Sequence, residues 1–185
     1  ADISPSTFSL SLNSIKEKLT PKTAGIIIVH FAGIITHEYS QILDFCRSQG
    51  LFVIEDAAHA PGAMYGDQYA GTLGDIGCFS FFPSKIITSA EGGMLTTNNN
   101  SIAKFARSHQ NRGRDLDNKE EVYSLPGRNV RLSELNAMLG RSQLRHLNEY
   151  IIKRRELAKL YFDRLSPHSF VQCISAKVLR TSSFW

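Results

Sequence analysis

Apolar positions in the first part of the chain follow two alternating patterns. Residues Gly25–Val29 and 51–54 are continuous apolar runs, a pattern typical of strands that are buried on both faces. Between these runs, apolar side chains recur at helical spacing from Tyr39 to Cys46, and Gly50 stands where a helix is expected to end. This order of strand, helix and strand predicts a parallel sheet with a right-handed crossover.

Further along, the pattern predicts two more strands, at residues 78–81 and 94–97. A short helix is predicted at residues 101–109 and a polar loop at residues 111–126. Ser133 is the predicted N-cap of a helix that begins at Glu134. From there an apolar stripe continues to Leu165, with a break expected between residues 144 and 148. The chain therefore has the alternating organisation of an α/β protein, followed by a long helical segment.

Length and composition are those of an ordinary globular protein. A chain of 185 residues can bury one core and a small appendage. No apolar run approaches the roughly 20 residues that span a bilayer, and the first residues lack the pattern of a secretory signal. Cys46, Cys78 and Cys173 form no paired motif, which suits a reducing compartment. We therefore expect a cytoplasmic protein that does not bind membranes.

The net charge of +4 is modest, and the basic residues cluster at 107–114 and 141–155. Neither cluster is accompanied by an aromatic-interleaved RNA-binding signature or by zinc-finger spacing, so we expect no nucleic-acid partner. The second cluster is explained as the solvated face of a helix. For the first, a surface that receives a phosphate or nucleotide is an alternative. His30, His37 and His59 are not at metal-ligand spacing, so we predict no metal.

The candidate chemistry lies where the apolar strands end. Asp56 closely follows the run at 51–54, at the edge where parallel sheets bind ligands. Ser80 stands between two phenylalanines in the next apolar run, and Lys85 follows in the adjoining loop. Pyridoxal phosphate needs these three groups: an amine for its aldehyde, a carboxylate for its protonated ring nitrogen and a hydroxyl for its phosphate. Taken alone, Lys85 would be a solvated surface charge; the accompanying residues favour the cofactor.

The same segments resemble a known family. Asp56-Ala57-Ala58-His59, the segment from Gly71 to Phe81, Lys85 and Glu91-Gly92-Gly93 occur in the order and spacing of the DegT/StrS-type sugar aminotransferases, which depend on pyridoxal phosphate. The resemblance runs from about Asp2 to Leu165. One departure is Ala90, which stands where the family often has glycine.

The resemblance implies an aspartate-aminotransferase-like fold, known as fold type I. Residues 1–130 would form the C-terminal portion of a three-layer large domain with a mainly parallel sheet. Residues 131–185 would form a long connecting helix and the start of a small domain. Members of the family are about twice as long as this chain, so we expect it to be truncated at both ends.

The resemblance also implies a role for each candidate residue. Lys85 would bind the cofactor covalently and move the proton during catalysis, and Asp56 would pair with the ring nitrogen. Ser80 would bind the phosphate, and His59 would lie near the phenolic oxygen. Asn129 would reach across a dimer interface to the phosphate held by the partner subunit.

Each of these residues also has a purely structural explanation. Asp56 and Asn129 suit turns, Ser80 could bond to buried backbone, and His59 could be a structural histidine. His30 is expected to be structural or to lie at the edge of the site.

The expected function is transamination of a nucleotide-linked keto-sugar by an amino acid donor such as glutamate, in a homodimer. The products would be aminosugars for surface polysaccharides, glycolipids or antibiotics. One alternative is the deoxygenating branch of the family, in which a histidine replaces the lysine; Lys85 argues against it. A non-catalytic regulatory or binding protein that retains the fold, and an inactive fragment, are the others.

Overall fold

A computed structural model describes residues 1–174 and 181–184. In that part of the chain the strands are β1 (Gly25–Val29), β2 (Phe52–Asp56), β3 (Met64–Tyr65), β4 (Gln68–Tyr69), β5 (Ile76–Ser80) and β6 (Gly93–Thr96). The α-helices there are α1 (Leu12–Lys18), α2 (Tyr39–Ser48), α3 (Asn100–Gln110), α4 (Glu134–Leu144) and α5 (Leu147–Leu165). A short 3-10 turn lies at Phe31–Gly33.

Four of these strands form one mixed sheet in the order β1-β2-β5-β6. The first three are parallel to one another, and β6 runs antiparallel to β5. Strands β3 and β4 pair separately as a small hairpin. The predicted mainly parallel α/β sheet is therefore confirmed.

The predicted helices are confirmed as well, including the break in the last one. Helix α4 ends at Leu144 and α5 begins at Leu147. The Ser133 hydroxyl caps α4 by accepting a hydrogen bond from the Asn136 N–H at 3.2 Å. Helix α1 and the β3–β4 hairpin were not predicted, because each is too short to show a clear period.

The main core lies on one face of the sheet, against α1 and α2. Strand register places Ile28 beside Glu55 and Ile26 beside Val53 on this face. The buried apolar residues of this core are Leu12, Ile15, Ile28, Tyr39, Ile42, Cys46, Leu51, Val53 and Leu73. This packing fixes β1 and β2, and hence the loops that follow them.

Among the described residues, apolar side chains on the opposite face of the sheet are largely exposed to solvent. The prediction that β1 is buried on both faces is therefore wrong for this part of the chain. Ile27 is 59% exposed and Phe52 is 47% exposed. Val29 and Leu95 are exposed on the same face. An apolar run shows that two faces favour burial, but it does not show which elements cover them.

Helices α4 and α5 also keep much of their apolar stripe exposed; Leu135 is 79% exposed and Met138 is 68% exposed. Ile151 of α5 is buried, and it packs so closely on Gly62 that a Cβ there would come within 2.3 Å of Ile151 Cδ1. Helix α5 is thereby attached to the loop that follows β2.

The domain boundary at residue 130 stays a prediction, and residues 175–180 and 185 of the predicted second domain lie outside the described residues. Across the part of the chain that is described, no helix has the length and apolar character needed to cross a membrane.

Candidate functional site

The predicted acid and the predicted serine end two neighbouring strands. Asp56 is the last residue of β2, and Ser80 is the last residue of β5. Asp56 pairs with Cys78 across the parallel strands, so the alternation of side chains along β5 places Ser80 on the same face as Asp56. Both side chains lie at carboxyl ends of parallel strands, where α/β sheets bind ligands.

Backbone contacts hold Asp56 from two directions. Its carbonyl accepts a hydrogen bond from the His30 N–H at 3.0 Å, which ties it to the loop after β1. Its Oδ1 accepts a hydrogen bond from the Ala58 N–H at 3.1 Å. The half-buried carboxylate therefore has a defined orientation at the strand end.

Lys85 lies in the loop that connects β5 to β6. The Lys85 N–H donates to the Phe82 carbonyl at 3.0 Å, which closes a turn directly after β5. The two following residues, Ile86 and Ile87, are buried and anchor the loop. The half-buried Lys85 is thus carried on a fixed turn close to the end of the strand.

The loop returns to β6 through a turn that favours small residues. Ala90 has a φ of 66°, a region that glycine adopts more readily than alanine. A Cβ on Gly93 would come within 2.7 Å of the Phe79 carbonyl oxygen. The backbone at Ala90 therefore has a conformation that glycine would adopt with less strain.

Electrostatic effects link Lys85, Asp56 and His59. Burial lowers the pKa of His59 below its ordinary value, and the positive charge of Lys85 lowers it further, while the charge of Asp56 acts in the opposite direction. Burial raises the pKa of the neighbouring Cys78 thiol, and the Asp56 charge adds to that effect. The charges of Lys85 and Asp56 are therefore both felt at the imidazole of His59.

The ring of His59 is oriented by the loop after β1. Its Nδ1 accepts a hydrogen bond from the Ala32 N–H at 3.4 Å. The ring also packs against Phe31, with 5.8 Å between the ring centroids. The loop that supports Asp56 thus supports His59 too.

Asn129 lies on the segment that leads into α4, beside the C-terminal end of α3. It forms a bridge with Asn111, and its neighbours Arg128 and Val130 donate backbone hydrogen bonds to the carbonyls of His109 and Gln110. This segment is therefore held by the C-terminal end of α3. Asn129 itself is exposed.

A buried carboxylate directly precedes Asp56 and is not among the predicted site residues. Glu55 is fully buried and accepts hydrogen bonds from His30 Nε2 at 2.8 Å and from the Gly71, Leu73 and Gly74 N–H groups at 2.8, 2.7 and 2.7 Å. Burial alone raises the pKa of Glu55, but these hydrogen bonds outweigh it and hold the pKa below its ordinary value.

The imidazole ring of His30 is fully buried beside Glu55, so His30 has a structural contact in the core. Glu55 joins β1, β2 and the loop before β5 on the core face of the sheet. The signal for it in the sequence is an acid at a position of β2 whose side chain points toward the core.

A sequence model of the DegT/DnrJ/EryC1/StrS aminotransferase family matches residues 1–184. The GDP-perosamine synthase of Caulobacter vibrioides is 38% identical over 165 residues, which are 89% of this chain and 44% of that protein. The chain thus spans less than half the length of this relative.

Solved structures show the same likeness. The aminotransferase TlmJ from Streptoalloteichus hindustanus is 30% identical and superposes with a TM-score of 0.91, covering 99% of this chain and 50% of TlmJ. The GDP-4-keto-6-deoxy-D-mannose-3-dehydratase of Escherichia coli, solved with bound hydrated pyridoxal phosphate, is 27% identical with a TM-score of 0.86, covering 99% of this chain and 50% of the dehydratase.

Proposed function

Because the chain belongs to the DegT/DnrJ/EryC1/StrS aminotransferase family, we propose that the protein carrying it transfers an amino group to a nucleotide-linked keto-sugar. The amino donor is an amino acid such as glutamate, and the product is an aminosugar for a polysaccharide, glycolipid or antibiotic. One observation carries the proposal: Asp56 and Ser80 share one face at the ends of two parallel strands, and Lys85 follows on the adjoining turn.

The residues present fit pyridoxal phosphate. When bound, this cofactor supplies an aldehyde for an amine and a ring that withdraws electrons from the carbon beside a substrate amino group. The oriented carboxylate of Asp56 suits the protonated ring nitrogen, and the Ser80 hydroxyl suits the phosphate. The Lys85 amine suits the aldehyde, and the half-buried imidazole of His59 suits a contact with the ring oxygen.

Each of these side chains has a defined part in the proposed reaction. Lys85 would hold the cofactor through its amine, and the same amine would act as the base that takes the proton from the donor carbon. The Asp56 carboxylate would pair with the protonated ring nitrogen. Burial, assisted by the positive charge of Lys85, lowers the pKa of His59 and so favours the neutral imidazole at neutral pH.

The active unit is proposed to be a homodimer that works in the cytoplasm. Asn129 is exposed on a segment held by the C-terminal end of α3, which leaves it accessible to the partner subunit of a homodimer. The cysteines Cys46, Cys78 and Cys173 are free thiols, which favours a reducing compartment.

The proposal is tested by spectroscopy of the protein that carries this chain. Pyridoxal phosphate bound to the protein is expected to absorb in the visible region, and glutamate should bleach this band. Asp56→Asn should keep the band but lower the rate of bleaching about 100-fold, because a few kcal/mol of electrostatic stabilisation is removed. A visible band that does not respond to any amino acid would favour a non-catalytic binding protein instead.

The shared site is tested by complementation between two impaired variants. Lys85→Ala and Asn129→Ala are each expected to be weakly active alone at limiting cofactor. Co-expressed subunits should regain about a quarter of wild-type activity, because half of the dimers are mixed and each mixed dimer has one complete site. If Asn129 acted within its own subunit, no mixed dimer would contain a complete site and activity would not return.

A further inference from the structure

A short segment near the end of the chain returns to the proposed cofactor site. The Ser183 hydroxyl donates a hydrogen bond to the carbonyl of His59 at 3.0 Å, and the Ser183 N–H donates to the Gly33 carbonyl at 3.4 Å. Ser182 and Ser183 are 1% and 0% exposed. Ser182 and Ser183, in the segment Thr181–Phe184, are therefore packed inside the structure, and Ser183 contacts the loops that follow β1 and β2.

Two arginines of α5 hold this segment from the other side. Arg155 Nε donates to the Ser182 carbonyl at 2.8 Å, and Arg154 Nη1 donates to the Phe184 carbonyl at the same distance. Burial lowers the pKa of Arg155 from its ordinary value, which agrees with its partly enclosed position. Helix α5 is thus connected to His59 through this segment: the arginines bind its carbonyls, and the Ser183 hydroxyl binds the His59 carbonyl.

The backbones of Gly33, His59 and Ser183 are closely packed where they meet. Gly33 has a φ of 74°, and a Cβ at this position would fall 2.2 Å from Ser183 Oγ and 2.8 Å from the His59 carbonyl oxygen. Gly33 also belongs to the 3-10 turn whose Phe31 packs against the imidazole of His59. Ser183 therefore contacts both the backbone of His59 and the turn that orients its ring.

We propose that Ser183 is a positioning residue, which fixes His59 against the cofactor by holding its carbonyl and the turn at Gly33 together. The proposal rests on the function proposed above, in which His59 contacts the cofactor. It also gives α5 a role at the site, because Arg155 places the Ser183 segment.

The chain contains a matched control for this proposal. Ser182 is as deeply buried as Ser183, but its hydroxyl has no hydrogen-bond partner among the described residues. Ser182→Ala and Ser183→Ala therefore remove the same atom from neighbouring buried positions, and only Ser183→Ala breaks a bond to the site.

The first measurement is the titration of His59 in the cofactor-free protein, followed by NMR of labelled histidines and assigned with His59→Gln. Ser183→Ala is expected to raise the pKa of His59 toward its ordinary value, because a less constrained ring becomes better hydrated. The second is the dissociation constant of pyridoxal phosphate, which should rise about 3- to 10-fold on loss of one buried hydrogen bond. Ser182→Ala should change neither quantity.

Unchanged values for Ser183→Ala, or equal changes for both serine variants, would overturn the proposal. If Ser183→Ala does not fold, Arg155→Gln releases the same segment from α5 and is expected to change both quantities in the same direction. A wild-type protein that binds no pyridoxal phosphate would reject the proposed function, while the titration of His59 would still decide whether Ser183 positions it.

Discussion

Replacing Lys85 with alanine is expected to lower the kcat/KM of transamination by about 1000-fold or more in the protein that carries this chain. The variant loses both the amine that holds the cofactor and the group that moves the proton. Lys85 lies on the fixed turn after β5, and no other side chain of that turn carries an amine that could hold the cofactor or move the proton. Steady-state rates with glutamate and a keto-sugar acceptor give the measurement.

Chemical labelling provides an independent check on the same residue. Reduction with borohydride should attach the cofactor permanently to Lys85, and peptide mapping locates the label. Lys104→Ala is a suitable control, because Lys104 is exposed on α3, where it pairs with Asp117. A label on Lys22 or Lys104 would show that Lys85 is not the attachment point.

Replacing Glu55 with alanine is expected to lower the free energy of unfolding by about 3 kcal/mol or more. The change leaves His30 Nε2 and the N–H groups of Gly71, Leu73 and Gly74 without their shared acceptor inside the core. Urea-induced unfolding gives the measurement. Glu17→Ala, at an exposed position of α1, should change the free energy by only about 0.5 kcal/mol or less.

The contribution of Glu55 should also depend on pH in a defined direction. Its pKa is lower in the folded protein than in the unfolded chain, so the stabilisation is complete above the ordinary glutamate pKa of about 4.3. It is lost as the pH falls through the folded-state value. The difference in stability between wild type and Glu55→Gln should therefore narrow in acid. A difference independent of pH would show that the carboxylate is not ionised in the core.

The strands and long helices could be predicted because their signals are local. A continuous apolar run identified β2, and a hydroxyl before Glu134 identified the start of α4. Asp56, Ser80 and Lys85 could be predicted as a group because chemistry that uses pyridoxal phosphate needs those groups near strand ends. Their individual roles stay predictions.

The contacts that support the site could not be predicted, because they join residues far apart in the sequence. His30 and Glu55 are 25 positions apart, and Ser183 and His59 are 124 positions apart. Neither pair belongs to a motif with fixed spacing. Each becomes visible only when the fold has placed the two segments side by side.

Glu55 and Asp56 are consecutive residues of β2, and their side chains point to opposite faces of the sheet. A single strand register therefore places both carboxylates. A single inserted or deleted residue within β2 would exchange them: the acid of the core would point toward the cofactor side, and the acid of the site would enter the core. Evolution or protein engineering can therefore substitute side chains along β2 one at a time, but it cannot change the length of the strand without losing stability and chemistry together.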